Sequence, residues 1–226
     1  PRVALLSGGD ELVPVGVPPA PHQVTDSNAL MIAASISAAG GEVVNLGIAG
    51  DSLEAVRERL AAASGCELVI TSAGVSVGRH DHVRAVVSEL GRIEAWRLAM
   101  RPGKPLLIGV LGDVPMLGLP GNPASAAVTF ELFGRTAILA LQGAAETGRR
   151  RIAVRAGEAM ETPTGLETYL RVHLGEGEDG IPVATQSGDQ TSSMLRGLAD
   201  AQALLVVPIG TSRVEPGTLL TALELT

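Results

Sequence analysis

The sequence predicts an α/β fold, a mostly parallel sheet with helices on both faces, followed by a small C-terminal all-β domain. Two observations predict it. Apolar runs of strand length alternate with helical segments over residues 1–145, which is the pattern of βαβ units. A polar stretch at 144–151 then leads into short strands separated by turn residues over 150–226, as in small all-β domains.

Strands and helices alternate along the first predicted domain. Strands are predicted at 2–6, 42–47, 67–71, 94–99, 105–110 and 114–119. Helices are predicted at 29–39, from Asp51 or Ser52 to 63, at 81–90 and at 123–141. The first helix has an N-cap signal in Asp26-Ser27-Asn28, and Pro123 after Asn122 is typical of the start of the last one. In the second domain, strands are predicted at 151–156, 168–174, 181–185, 203–208 and 219–225, with one helix at 192–200.

Composition excludes several classes of function. A formal net charge of −7 and only 2% aromatic residues argue against a nucleic-acid or anionic-membrane surface. The single cysteine, Cys66, excludes an intrachain disulfide framework and fits a reducing cytosol. The longest apolar run, near Ala203–Ile209, is too short to span a bilayer. Walker A, Gly-x-Gly-x-x-Gly, His-Glu-x-x-His and Gly-x-Ser-x-Gly motifs are absent from the sequence. We therefore expect a cytoplasmic protein that handles a small molecule.

Three glycine-rich loops follow predicted strands, at 7–11, 72–78 and 118–123. The carboxyl ends of parallel strands meet at one rim of a sheet, so these loops are expected to converge. The first loop holds Asp10 and Glu11, which suit a cation or ligand hydroxyls but also fit a solvated turn. The second combines small residues and hydroxyls before a helix, where backbone N–H groups can face an anion.

Asp81 ends the second loop and has two possible roles. It can be the N-cap of the following helix, or it can hold Mg²⁺ or position a water. Its neighbours His80 and His82 are interpreted as surface residues, because i, i+2 spacing on a helix directs them apart.

Two further segments suit an oxyanion. Arg101-Pro-Gly-Lys-Pro105 places two cations around a Pro-Gly turn, and of the 17 basic residues Lys104 alone is lysine. The alternative for this segment is a β-turn with solvated charges. The run Gly118–Ser125 directs a helix N-terminus, with the Ser125 hydroxyl in its first turn, toward the same rim. The residues alone thus predict a site for a phosphorylated or oxyanionic small molecule.

Six motifs together resemble the molybdopterin molybdenumtransferase family, which includes MoeA and the gephyrin and plant Cnx E-domains. They are, in order, Gly9–Leu12, Asp26–Asn28, Gly47-Ile48 with Asp51, Ser72–Gly78 with Asp81, Arg101–Pro105 and Gly118–Pro123. The resemblance covers the whole chain. It implies a molybdopterin-binding domain of the MogA-like fold at 1–145 and the family's C-terminal β domain at 150–226.

The resemblance also implies an activity and its residues. The family inserts molybdate into adenylylated molybdopterin, with release of AMP, and depends on a divalent cation, Mg²⁺. By resemblance Asp81, Asp51 and Glu11 are catalytic, and Asp51 and Asp81 are the metal ligands. The implied substrate-binding residues, with Arg101 and Ser125 on molybdate, are Asp10, Ser72, Gly74, Ser76, Gly78, Arg101, Lys104, Pro120, Gly121, Asn122, Pro123 and Ser125.

The chain departs from the family pattern in three places. Ala73 stands where a second glycine is common, and Gly8 where threonine is frequent. The family also has two further N-terminal domains, and its cleft is completed by the partner subunit of a homodimer. Because the chain opens with Pro1 and runs directly into a strand, we expect it to be a piece of a longer protein or a lightly processed chain. The alternatives are a molybdopterin adenylyltransferase of the MogA or MoaB type, itself a potential partner, and a non-catalytic binding module.

Overall fold

The computed structural model describes residues 1–75, 82–178 and 180–225. The strands, in chain order, are β1 (Arg2–Gly8), β2 (Leu12–Val13), β3 (Val24–Thr25), β4 (Glu42–Ala49), β5 (Leu68–Ser72), β6 (Gly91–Trp96), β7 (Met100–Arg101), β8 (Leu107–Leu111), β9 (Val114–Leu119), β10 (Arg151–Ala156), β11 (Met160–Glu161), β12 (Glu167–Gly175), β13 (Val183–Gln186), β14 (Ala203–Val207), β15 (Arg213–Val214) and β16 (Leu219–Glu224). The helices are α1 (Ser27–Ala38), α2 (Leu53–Ala61), α3 (His82–Leu90), α4 (Pro123–Thr129), α5 (Arg135–Leu141) and α6 (Arg196–Ala199).

The chain divides into two compact units. The first comprises Pro1–Leu98 and Pro105–Thr147, and the second comprises Ala99–Lys104 and Gly148–Thr226. The short segment Ala99–Lys104 belongs to the second unit because β7 pairs with β12 there.

A six-stranded sheet of order β4-β1-β5-β9-β8-β6 forms the centre of the first unit. The strands β4, β1, β5 and β9 run parallel, whereas β8 and β6 continue the sheet in antiparallel fashion. Apolar clusters cover both faces of this sheet. One cluster includes Val56 of α2 and Val86 of α3, and the other includes Ile32 of α1 and Ala126 of α4. The predicted mostly parallel sheet with helices on both faces is confirmed.

Side-chain caps fix the starts of the first two helices. Asp26 accepts a hydrogen bond from the Ala29 N–H at 3.0 Å and caps α1. Ser52, rather than Asp51, caps α2 by accepting from the Ala55 N–H at 3.1 Å. Capping by Ser52 leaves the Asp51 carboxylate out of the helix start.

The predicted helix at 123–141 is not regular. A π-helical turn, Phe130–Gly134, joins α4 to α5. Gly134 leaves room for the Phe130 ring, since a Cβ there would lie 2.6 Å from Phe130 Cδ2. By length and composition alone this 19-residue run could cross a membrane. Phe130 and Ile138 are nevertheless buried against the sheet, which is the setting of a core helix.

The predicted strand at 94–99 is also wrong at its end. β6 stops at Trp96, because Arg97 takes a left-handed backbone conformation with φ of 63°. Such a conformation turns the chain out of an extended strand.

The second unit is a small β domain. Its strands follow the order β13-β10-β16-β14-β12-β7, and an additional β12–β13 pairing closes five of them into a barrel-like sheet. Val154, Val172 and Leu205 lie in its core.

The helix predicted at 192–200 shortens to α6 in this unit. The segment before α6 is held by Arg171, whose buried guanidinium donates hydrogen bonds to the backbone carbonyls of Asp189, Thr191 and Met194. Met194 lies inside the predicted helix, and its carbonyl accepts from Arg171 while the Leu198 N–H donates to the Leu195 carbonyl instead.

Candidate functional site

The carboxyl ends of β1, β5 and β9 meet at a cleft of about 570 Å³ in the first unit. Each of the three glycine-rich loops contributes to it: Gly8 and Glu11 from the first, Ser72 and Ala73 from the second, and Pro120, Gly121, Asn122, Pro123 and Ser125 from the third together with the start of α4. The predicted convergence of these loops is therefore confirmed for the described residues.

The acidic side of the cleft rests on two joined loops. Asp10 Oδ1 accepts a hydrogen bond from the Asp51 backbone N–H at 3.0 Å, which ties the loop after β1 to the turn after β4. Gly50 permits this approach, because a Cβ there would lie 2.9 Å from Asp10 Oδ1. The Gly9 N–H also donates to the Ala49 carbonyl at 3.1 Å. Asp10 thus holds the loops together, while Glu11 lines the cleft itself.

The loop after β5 has an unusual backbone. Ala73 and Gly74 are both left-handed, with φ of 76° and 77°. A side chain at Gly74 would meet Val83 of α3, since a Cβ would lie 2.6 Å from Val83 Cγ2. The Ala73 N–H donates to the Leu119 carbonyl at 3.0 Å, which joins this loop to the end of β9.

Alanine in the left-handed region costs roughly 1–2 kcal/mol. The methyl that replaces the family's glycine at Ala73 therefore strains the very turn expected to face an anion. Trp96 holds the far side of this loop, because its Nε1 donates to the Val75 carbonyl at 2.8 Å. The predicted residues Ser76, Gly78 and Asp81 lie outside the described residues.

Asn122 and Pro123 begin α4 as predicted, with Pro123 in its first turn. The Asn122 side chain occupies the N-cap position but does not make the capping hydrogen bond. Ser125 is buried in the first turn, at 4% exposure, and lines the cleft. This side of the cleft therefore offers a hydroxyl and the N–H groups of a helix start, which have no partner within the helix itself.

Sequence reasoning missed Asn28 as a member of the site. Its side-chain nitrogen donates to Ser72 Oγ at 3.0 Å and to the Gly121 carbonyl at 2.8 Å, and the residue lines the cleft. Asn28 was part of the Asp26–Asn28 motif, but the motif was interpreted as a helix start. The signal that could have identified Asn28 is its place in Asp26–Asn28, one of the six motifs that resemble the family, two residues after the cap.

Arg101 and Lys104 belong to the second unit. Arg101 lies on β7, and the peptide bond from Arg101 to Pro102 is cis. Both cationic side chains are exposed. Gly103 between them takes a φ of 109°, which only glycine adopts readily. The pairing of these two cations as an oxyanion site stays a prediction.

The described residues do not complete a metal site. Within 1–75, 82–178 and 180–225, no group of three or more His, Cys, Asp or Glu side chains could hold a metal ion. Of the two predicted Mg²⁺ ligands, Asp51 lies beside Asp10 and Asp81 is outside the described residues.

Comparison with known proteins identifies the family. Residues 4–140 match the family described as "Probable molybdopterin binding domain", and residues 153–225 match "MoeA C-terminal region (domain IV)". The chain belongs to the MoeA family. The resemblance stated from the six motifs is thus confirmed, and so is the fold that it implied.

Known members of the MoeA family align with the whole chain. It is 36% identical to the molybdopterin molybdenumtransferase of Nostoc sp. over 100% of its own length and 53% of that protein. It is 33% identical to molybdopterin molybdenumtransferase 2 of Mycobacterium tuberculosis, over 100% of its own length and 56% of that protein. The crystal structure of a molybdopterin biosynthesis MoeA protein from Pyrococcus horikosii superposes with a TM-score of 0.82 at 26% identity, covering 100% of this chain and 55% of that one. The chain therefore spans about half the length of the curated relatives it matches.

Proposed function

We propose that this chain carries the substrate cleft of a molybdopterin molybdenumtransferase. The reaction inserts molybdate into the dithiolene of adenylylated molybdopterin and releases AMP. The observation that carries the proposal is the cleft at the ends of β1, β5 and β9, which is lined by residues of the motifs Gly9–Leu12, Asp26–Asn28, Ser72–Gly78 and Gly118–Pro123 within the match to the molybdopterin-binding domain. The match of the second unit to the MoeA C-terminal region favours this function over that of an adenylyltransferase or a binding module.

The chemistry of the cleft suits substrates that carry oxyanions. The hydroxyls of Ser72 and Ser125 and the N–H groups at the start of α4 are donors for molybdate or phosphate oxygens. Pro120 and Pro123 give the wall a fixed shape. Among the described residues Glu11 and Asp26 are the carboxylates that line the cleft. Since Asp26 caps α1, Glu11 is the one that suits accepting ligand protons or orienting a water.

Other parts of the proposal rest on the family resemblance. Arg101 and Lys104 are proposed to bind molybdate, with Ser76, Gly78 and Gly74 in the anion loop. Mg²⁺ is proposed as the divalent cation, with Asp51 and Asp81 as its ligands. A homodimer in the cytoplasm is proposed to complete the cleft, and a molybdopterin adenylyltransferase is proposed to supply the adenylylated substrate.

The test is molybdate-dependent AMP release by the full-length protein with adenylylated molybdopterin. Glu11→Gln removes one charge and hardly changes shape, so release is expected to slow by roughly a hundredfold if this carboxylate acts on the substrate. Glu54→Gln is the matched control, because Glu54 is an exposed carboxylate on α2 whose side chain is 86% accessible. That variant is expected to release AMP at the parent rate.

Two results would contradict the proposal. AMP release by the parent protein that does not depend on molybdate would remove the proposed reaction. An unchanged rate in Glu11→Gln would remove Glu11 from the catalytic set and leave Asp51 and Asp81 as the acids to test.

A further inference from the structure

We propose that Asn28 is a positioning residue that fixes the Ser72 hydroxyl as a hydrogen-bond donor to an oxyanion in the cleft. This inference rests on the proposed function, because it takes the cleft to be the substrate site. It assigns a role to a residue outside the predicted set and a direction to the hydrogen bond that Ser72 makes with the ligand.

Asn28 connects three elements that form the cleft. It lies in the first turn of α1, and its Nδ2 donates to Ser72 Oγ at the end of β5, at 3.0 Å. The same nitrogen donates to the Gly121 carbonyl in the loop after β9, at 2.8 Å. Asn28 and Ser72 are buried, at 8% and 3% exposure. Hydrogen bonds in such surroundings are costly to leave unmade.

The orientation of the Asn28 amide follows from its partners. With the amide turned over, Asn28 Oδ1 would face the Gly121 carbonyl oxygen at about the same distance of 2.8 Å, and two acceptors would oppose each other. The nitrogen must therefore face Gly121, and with it Ser72. Asn28 Oδ1 then has no hydrogen-bond partner among the described residues, so nothing on that side of the amide favours the opposite orientation.

The direction of the Ser72 hydrogen bond follows in turn. An amide nitrogen only donates, so Ser72 Oγ must accept from Asn28, and the Ser72 proton cannot return to it. No side-chain hydrogen bond from Ser72 to a protein acceptor occurs within the described part of the chain, and Ser72 lines the cleft. The proton is therefore left for a ligand acceptor.

An oxyanion is the ligand that uses such a proton best, because hydrogen bonds to charged acceptors are about twice as strong as neutral ones. Two oxyanions of the proposed reaction have this chemistry: molybdate, and the phosphate of the adenylylated substrate. Molybdate and AMP serve as separate probes for them.

Asn28→Asp tests the inference in the full-length protein. A carboxylate at this position cannot donate to Ser72 Oγ and instead accepts a hydrogen bond from the Ser72 hydroxyl. The hydroxyl proton is then turned away from the ligand. Binding of molybdate, of AMP or of both, measured by calorimetry, is expected to weaken by roughly 10- to 100-fold. The probe that weakens identifies the oxyanion that Ser72 contacts.

Asn45→Asp is the matched control, since it makes the same change of charge at an exposed asparagine. Asn45 Oδ1 accepts from the Gly47 N–H at 2.8 Å, and aspartate retains that role. Its binding of both probes is expected to equal that of the parent.

A double-mutant cycle with Ser72→Ala separates positioning from simple charge repulsion. If Asn28 acts through Ser72, the loss caused by Asn28→Asp should nearly vanish in the Ser72→Ala background. Losses that add would show that the new charge acts by itself, and the inference would be wrong. Asn28→Ala, which cannot capture the proton, is measured in the same cycle and keeps the test decisive if Asn28→Asp does not fold.

The remaining outcomes distinguish this inference from the proposed function. Weaker binding in Ser72→Ala with parent-like binding in both Asn28 variants would overturn the role of Asn28 and leave the cleft in place. Parent-like binding in Ser72→Ala would overturn the assignment of Ser72 and the inference with it. Absence of molybdate-dependent AMP release in the parent would overturn the proposed function instead.

Discussion

Gly118→Ala should disturb the candidate site from inside the sheet. Gly118 lies near the end of β9, and a Cβ there would be 2.4 Å from Val75 Cγ1, 3.2 Å from Leu107 Cβ and 3.4 Å from Thr71 Oγ1. Carbon atoms in contact are normally about 3.5–4.0 Å apart, so Val75 must move by about 1 Å or more. These three neighbours are at most 1% exposed, and a β-branched side chain such as Val75 has little rotamer freedom.

The expected cost follows from this overpacking. Extra methyl groups in a filled core destabilise by about 1–3 kcal/mol. Alanine also restricts the unfolded chain, which returns about 0.4–1 kcal/mol, and Gly118 has no positive φ that alanine would strain. We therefore expect the first unit to lose about 1–2 kcal/mol of unfolding free energy.

Trp96 provides the assay, since it is the one tryptophan of the chain and lies in the first unit. Urea unfolding followed by Trp96 fluorescence reports the stability of that unit. In Gly118→Ala the emission of native Trp96 should also shift, because Trp96 Nε1 donates to the carbonyl of Val75, the residue that must move. Gly165→Ala is the control, because a Cβ at Gly165 meets nothing within 4 Å.

The companion variant Val75→Ala removes the clashing methyl, so the double variant should cost less than the sum of the two single changes. The reasoning is refuted if Gly118→Ala unfolds at the parent midpoint with unchanged emission, or if the two changes simply add.

Two further predictions concern strain and a buried charge. Ala73→Gly relieves a left-handed alanine and should stabilise the first unit by about 0.5–1 kcal/mol after the greater freedom of the unfolded glycine is subtracted; a lower urea midpoint would contradict it. Arg171→Met should cost the second unit about 3 kcal/mol, because its removal takes away the hydrogen bonds to the carbonyls of Asp189, Thr191 and Met194. Burial lowers the pKa of the Arg171 guanidinium, so relief of that desolvation offsets part of the cost. Hydrogen exchange should show the loss first in 187–195, whereas Arg196→Met, an exposed change nearby, should have little effect. Equal effects of the two arginine variants would refute this role of Arg171.

Local sequence signals predicted most of the fold of the first unit. Apolar runs placed β1, β5 and β9, and the cap of α1 fell on Asp26, within the predicted signal Asp26–Asn28. The errors came from tertiary contacts that no local pattern reveals. The Phe130 ring against Gly134 accompanies the π-helical turn, and Arg171 binds the Met194 carbonyl where the start of a helix was predicted.

The sequence predicted which loops form the candidate site but not the hydrogen bonds that join them. Glycines, acids and hydroxyls after parallel strands pointed to Glu11, Ser72 and Ser125, which line one cleft. Asn28 was missed because its role is a hydrogen bond to residues 44 and 93 positions away along the chain. Separations of that length leave no periodicity in a sequence.

The sequence by itself determined the fold class, the family and the loops that line the cleft, because these depend on residue types at fixed local spacing. The tertiary structure decided which of those residues share a cleft, that Asp10 joins two loops through the Asp51 N–H, and that Asn28 Nδ2 donates to Ser72 Oγ. The physical reason is that a hydrogen bond depends on the distance and direction between atoms, and folding brings these together from distant parts of the chain.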